Sequence, residues 1–356
     1  MLHFIISCWS LIYSSIYRIT FHSIGFLRQT VFRFNRLSDL ETKPAKDIED
    51  FNAPSSCTVY TLPTVQYQDG LDIIGIGVAG QVYNVDEHTV LKAGRIYVPP
   101  SDDATPSALY DYASETVFHF GLLKDEKAVL CLLAERPHPN IIEVIDLDQP
   151  EGIYIRKYRQ VSELTPASQS DRILWYQDIL RALVHLHTLG LAHSDIRKDN
   201  ILFDSNGHAL LSDFSASCPF GYQNPALPFF TNGTSETVSE ASDRFAMASM
   251  IYDLETGGRP EISVDSSQGI ILPVIQTGNK DLDSLIENAW RGRFDSTLAM
   301  LKHAERISDG KDNRKPTAHL VSKTELRGRI SSWRNDRVNQ YGSVPFLREL
   351  PVESTK

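Results

Sequence analysis

Apolar positions fall into two regimes along the chain. From Val65 to Ala93 they come in short β-branched runs broken by glycine, which predicts short strands; after Ser170 they recur at three- and four-residue steps, the period of helices with one buried face. Between the two regimes, GRIYVPPSDDATPS reads as a loop, Leu122, Val129, Leu130 and Leu133 keep helical spacing, and IIEVIDL and GIYIRKY read as strands. The later helices are predicted over Ile173 to Leu189, ASDRFAMASMIYDLETG, DLDSLIENAW and DSTLAMLKHAERI. A β-rich half followed by an α-rich half predicts an α+β chain of two lobes, a small antiparallel sheet and a mostly helical part, with a cleft between them.

The two ends depart from this pattern. No Asp, Glu, Lys or Arg occurs from Met1 to Tyr17, and His3, Ser7, Ser10, Ser14 and Arg18 would line one stripe of a helix whose other face is apolar. That run is shorter than a membrane-spanning helix needs. It reads as a membrane-interfacial helix, with packing on the folded domain as the alternative. We expect residues 1–37 to carry this segment, 38–64 to be a linker, 65–310 to be the folded two-lobed domain, and 311–356 to be a basic extension. In that extension Leu326, Ile330 and Trp333 fall at i, i+4 and i+7, which predicts a helix docking on the larger lobe; a basic tail touching anionic lipid is the alternative.

Composition narrows the function. A formal net charge of −10 argues against nucleic acid as a partner, because affinity for a polyanion rests on cationic patches. Cys8, Cys57, Cys131 and Cys218 are scattered without metal-ligand spacing. They fit a reducing, cytoplasmic compartment and no zinc site, with membrane contact through the N-terminus.

Candidate chemistry begins with GIGVAGQV, Gly75 to Val82. Gly75, Gly77 and Gly80 leave out Cβ atoms where a backbone must turn sharply and approach phosphates. A dinucleotide fold needs a helix directly after such glycines, whereas here a hairpin, NVDEHTV, follows and leads into Lys92. An ammonium in an apolar strand is costly unless it is paired or bound to an anion. Glu126 is the expected partner, because Val129, Leu130 and Leu133 follow it at i+3, i+4 and i+7 and place it beside a buried face; Glu115 is the alternative. Further on, LHTLGLAHSDIRKDNILFD and LLSDFSAS bring Asp195, Asn200 and Asp213 close in sequence. Oxygen-bearing side chains of this kind suit Mg²⁺, a hard cation that keeps part of its coordination for phosphate.

At these residues the chain resembles eukaryotic protein kinases, and more narrowly small fungal serine/threonine kinases with an HSD rather than an HRD loop, over roughly Leu71 to Ile307. The resemblance implies a kinase fold, ATP and Mg²⁺ as cofactors, and transfer of the γ-phosphoryl group to Ser or Thr hydroxyls of a protein substrate. It implies that Gly75, Gly77, Gly80 and Val82 cover the nucleotide and that Lys92, held by Glu126, grips its α- and β-phosphates. Asp195 would take or orient the substrate hydroxyl proton, Asn200 and Asp213 would hold Mg²⁺, and Arg197 would face the transferred phosphoryl. By the same resemblance His193 supports Phe214, and Asp243 in SDRFAMAS anchors the catalytic-loop backbone.

Several positions depart from the family pattern. Ser215 stands where the Asp-Phe-Gly glycine would be, and the Ala-Pro-Glu stretch before Asp243 is replaced by GTSETVSEASD, in which Glu236 is the candidate glutamate. Arg197 suits either hydroxyl class, and Thr234 after Gly233 favours Ser/Thr. Ser194 replaces the arginine that pairs with a phosphorylated activation loop, which points to altered regulation with the reactive set intact. Two other classes fit parts of the pattern: a pseudokinase scaffold, and a small-molecule phosphotransferase of the aminoglycoside or choline kinase type.

Overall fold

The computed structural model describes residues 63–164, 167–227, 230–265, 269–307, 312–317, 321–345 and 347–349. The expected membrane-interfacial segment, residues 1–37, lies outside them, as do Cys8 and Cys57. Two compact units are present. Among the described residues the first comprises Pro63 and Pro99–Phe118, and the second comprises Thr64–Val98 and the chain from His119 onward. Every contact discussed below lies within the second unit.

Its first half is built of strands. β1 (Val65–Gln68), β2 (Ile73–Ile76), β3 (Gln81–Asn84), β4 (Thr89–Ala93) and β5 (Ile96–Tyr97) precede α1 (Pro106–Glu135), and β6 (Val144–Asp146) and β7 (Ile153–Arg156) follow it. The main sheet is antiparallel in the order β2-β3-β4-β7-β6. Register sets Lys92 between Val82 on β3 and Ile153 on β7. Two parts of the expected loop over residues 94–107 are structured. Ile96–Tyr97 pairs with β1, and Pro106 begins α1, a position where the missing N–H of proline costs nothing because the first helical N–H groups have no partner anyway.

The second half is helical. After β8 (Arg159–Gln160) come α2 (Gln169–Thr188), β9 (Leu191–Ala192), β10 (Ile201–Phe203), β11 (Ala209–Leu211), β12 (Cys218–Pro219) and α3 (Glu240–Thr256). The small hairpin β13 (Ser263–Val264) and β14 (Ile270–Ile271) leads to α4 (Lys280–Trp290), α5 (Thr297–Ile307), α6 (Lys323–Tyr341) and β15 (Leu347–Glu349). Helix ends carry their expected caps: Ser168 accepts from the Asp171 N–H, Ser239 from the Ala241 N–H, and Gly257 closes α3 with a left-handed φ of 77°.

One apolar core fills the helical part and continues onto the inner face of the sheet through Val90, Ile153 and Ile155. A second cluster covers the outer face, where Tyr83, Leu91, Ala93, Ile145 and Tyr154 meet Val321, Leu326 and Ile330. The C-terminal helix therefore packs on the small, sheet-bearing lobe, not on the larger lobe that the sequence pattern suggested. Periodicity identified the buried stripe of α6 but holds no information about which surface receives it. Two basic residues of this helix reach the small lobe: Arg327 donates to the Ile145 carbonyl at 2.9 Å and Arg334 to Glu151 at 2.6 Å. Among the described residues no helix is long and apolar enough to cross a membrane.

Candidate active site

The site is centred on one ammonium. Strand alternation turns Leu91 and Ala93 to the outer face of β4 and Lys92 to the inner face, where Lys92 is only 6% exposed. Its Nζ donates to Glu126 Oε1 at 2.7 Å and to Asp213 Oδ1 at 2.8 Å. Burial works against the charged lysine, but the two carboxylates outweigh it and hold its pKa well above the ordinary lysine range. Burial likewise pushes Asp213 up, yet the Lys92 ammonium and the Ser215 contact bring it well below the usual carboxylate range. For Glu126, fully buried on α1, desolvation exceeds the pull of Lys92 and raises its pKa.

The glycine segment sits in the β2–β3 hairpin. Gly75 pairs with Val82, while Gly77 N donates to the Gly80 carbonyl at 2.8 Å and Gly80 N returns a bond to the Gly77 carbonyl at 3.3 Å. A Cβ on Gly80 would lie 2.0 Å from the Ala93 carbonyl oxygen, so no side chain fits there. At Gly77 the nearest atom would be 4.0 Å away, leaving room over the turn. Arg95, which sequence inspection did not single out, donates to the Gly77 carbonyl at 2.8 Å through Nη2 and ties this turn to the end of β4.

The loop after β9 is organised by Asp243, a fully buried carboxylate on α3. Its Oδ2 accepts from His193 N at 2.7 Å and from His187 Nε2 at 2.9 Å, and its Oδ1 accepts from Ser194 N at 3.0 Å. His187 belongs to the last turn of α2, and nothing in its helical spacing announced this partner. His193 donates through Nε2 to the Ser212 carbonyl at 3.0 Å, and its ring meets the Phe214 ring edge-on at 5.2 Å. Ser194 takes φ 67° and Asp213 takes φ 56°. Left-handed backbone at residues other than glycine costs roughly 1–3 kcal/mol each and persists where surrounding contacts impose it.

Asp195 and Asn200 come together in this loop. Asn200 Nδ2 donates to the Asp195 carbonyl at 2.8 Å and to Asp195 Oδ2 at 2.9 Å. Burial raises the Asp195 pKa, against the pull of Arg197 and His193. Arg197 feels the Asp195 charge, but its guanidinium bonds Asp199, two residues along. With its amide nitrogen committed to Asp195, Asn200 keeps its amide oxygen for another contact. That oxygen and the Asp213 carboxylate form an all-oxygen donor set, the chemistry a hard divalent cation requires.

The segment after Asp213 returns to the same loop. β12 pairs with β9, and the buried Asn232 donates from Nδ2 to the Ser194 carbonyl at 2.8 Å. Phe220 and Tyr222 pack against Ala192, Cys218 and Val238, while Phe229 lies outside the described residues. Glu236 is exposed, and no carboxylate contact of it is present among the described residues. The half-buried acid at this place is Glu240, which accepts from Arg244 at 3.1 Å and from Thr297 N at 2.9 Å.

An ammonium shared by two carboxylates, a glycine hairpin above it, and a carboxylate–amide pair in a loop held by a buried aspartate define a bilobal, eukaryotic-type protein kinase fold. The family model described as "Protein kinase domain" matches residues 123–268, which leaves the glycine hairpin and Lys92 to be read from the residues themselves. The chain is 25% identical to human "Ribosomal protein S6 kinase alpha-4" over 216 residues, covering 53% of this chain and 26% of that protein. It is 31% identical over 124 residues to "Serine/threonine-protein kinase ppk21" of Schizosaccharomyces pombe, covering 30% and 21%. Over 161 residues it is 27% identical to "Serine/threonine-protein kinase PKH3" of Eremothecium gossypii, covering 38% and 22%. The chain thus spans about a quarter of the length of these relatives.

The geometry predicts a specific stability pattern. Lys92→Met leaves Glu126 buried with no cation, at a cost of about 3–5 kcal/mol, whereas removing both charges in Lys92→Met/Glu126→Leu costs less than the single change. Denaturant unfolding of the variants measures both; a double variant less stable than Lys92→Met would mean that the pair is not a charge-compensated unit.

Proposed function

We propose that the chain is an ATP- and Mg²⁺-dependent protein kinase that transfers the γ-phosphoryl group to Ser or Thr hydroxyls of a protein substrate. The observation carrying this reading is the Lys92 ammonium bonded to both Glu126 and Asp213, with the Asp195–Asn200 pair in the adjoining loop. A lysine that holds a helix acid and a metal-binding aspartate at once is arranged to receive nucleotide phosphates. Val82 and Val90, packed in the same apolar cluster as Leu202, would receive the base, and Gly75, Gly77 and Gly80 would lie over the phosphates. Asn200 and Asp213 would hold Mg²⁺, which when bound neutralises phosphate charge.

Asp195 orients the attacking hydroxyl and takes its proton. Its raised pKa suits it to that transfer near neutral pH, because a base works best when its pKa approaches the working pH. Arg197, freed from Asp199, would face the transferred phosphoryl. The preference for Ser/Thr is supported by the names of the relatives from S. pombe and E. gossypii. Contact with a membrane through the uncharged run Met1–Tyr17 is part of the same proposal; full-length chain that stays wholly in the supernatant of vesicle sedimentation removes it.

The test is turnover of ATP by purified full-length protein with Mg²⁺ and a degenerate peptide library. Asp213→Asn is expected to abolish transfer while the fold survives. Asp195→Asn is expected to leave nucleotide binding near normal and to lower the rate by about 10²–10⁴. Wild-type turnover in Asp213→Asn would overturn the kinase reading, and no turnover in the wild type with ATP still bound would favour a pseudokinase.

A further inference from the structure

The C-terminal segment touches both halves of the polar centre from behind. Residues 312–317 sit on the turn joining β10 to β11, the hairpin that begins next to Asn200 and ends two residues before Asp213. Arg314 bonds Asp178 on α2 in a fork, Nη1 to Oδ2 at 2.8 Å and Nη2 to Oδ1 at 3.2 Å, and also donates to the Gly207 carbonyl at 3.0 Å. Asp178 Oδ2 itself accepts from Ala209 N, the first residue of β11, at 3.0 Å. Asn206 donates to the Pro316 carbonyl, His208 bonds the Lys315 carbonyl, and Thr317 donates to Asp204 at 2.9 Å. The turn is thereby tied to the segment at Asp204, Asn206, Gly207 and His208.

Helix α6 grips the other half. Leu326 and Ile330 are buried in one apolar cluster with Ile145, Leu91 and Ala93, the last two of which flank Lys92 on the opposite face of β4. Arg334 forks onto Glu151, Nε to Oε1 at 2.6 Å and Nη2 to Oε2 at 3.3 Å. The Glu151 side chain is 1% exposed and also accepts from Tyr154 Oη at 2.6 Å. The next residue, Gly152, packs so closely on β4 that a Cβ there would stand 2.3 Å from the Lys92 carbonyl oxygen. Movement of α6 would therefore be transmitted through Glu151 and Gly152 to the backbone of Lys92.

We propose that residues 312–317 and 321–345 act as an intramolecular strap whose two anchors, Arg314 on Asp178 and Arg334 on Glu151, set the position of Lys92 relative to Asp213 and so the affinity for nucleotide. Neither arginine touches the reacting groups; both are positioning residues. The charge of the two anchors serves this purpose, since the Arg314 and Arg334 guanidiniums each meet a carboxylate that is buried and needs a donor. This inference rests on the kinase reading above.

The experiment compares full-length wild type with Arg314→Ala, Arg334→Ala, the double variant and Arg334→Lys, measuring KM for ATP and kcat well below the melting temperature, and the thermal midpoint separately. A strap acting as a unit predicts that either alanine raises KM for ATP by about three- to tenfold with kcat within about twofold. It also predicts that the double variant is little worse than a single one, because unconnected contacts would add and a severed tether is severed once. Arg334→Lys should recover part of the KM. Unchanged KM in both single variants with a lowered thermal midpoint, or fully additive effects in the double, would reduce the segment to ordinary packing and overturn the strap. A wild type that neither binds nor turns over ATP would instead overturn the kinase reading itself.

Discussion

A buried ammonium cannot stand alone, and the fold is organised around satisfying one. Lys92 on the central strand of the sheet is compensated by Glu126 from the helix after it and by Asp213 from the end of the β10–β11 hairpin. Removing a charge from water costs several kcal/mol even after relaxation, so a site like this exists only if separate elements deliver carboxylates to one point. The helix, the sheet and the hairpin are fixed to one another by that requirement. The same compensation leaves Asp213 ionised and the lysine protonated, the states in which they can serve a cation and a phosphate respectively.

A second buried charge does comparable work in the loop. Asp243 gathers two backbone N–H groups and one imidazole, and these bonds support the left-handed backbone of Ser194. With serine at that position, the segment after Asp213 returns to the loop through neutral contacts, chiefly the Asn232 amide on the Ser194 carbonyl. Order in this segment therefore arises from hydrogen bonding and the packing of Phe220 and Tyr222. Thr231, Thr234, Ser235 and Thr237 are exposed.

Much of this was legible in the sequence where a local rule decides the outcome. A glycine turn followed by a strand, an acid placed beside an apolar helical stripe, and the short span from Asp195 to Asn200 each rest on spacing alone. The residues that sequence inspection missed are those whose partners are far away in the chain. Arg95 beside Gly77, His187 beside Asp243, Asn232 beside Ser194 and Arg314 beside Asp178 carry no periodic signal, because a polar side chain looks alike whether it meets water or a distant carboxylate. Placement of α6 was misjudged for the same reason: Leu326, Ile330 and Trp333 announce a buried face, but only the apolar row of Tyr83, Leu91, Ala93 and Tyr154 on the outer sheet decides where it is buried.

Lys92, Asn200 and Asp213 make one claim together, that the polar centre receives a nucleotide with its metal. The most direct measurement is calorimetric titration of the full-length chain with a non-hydrolysable ATP analogue, first with Mg²⁺ and then with the metal removed by chelation. The account predicts saturable binding with Mg²⁺ that weakens by about tenfold or more without it, since an all-oxygen donor set and phosphate oxygens share the cation. No saturable binding with Mg²⁺ present, or equal affinity in both conditions, would contradict it.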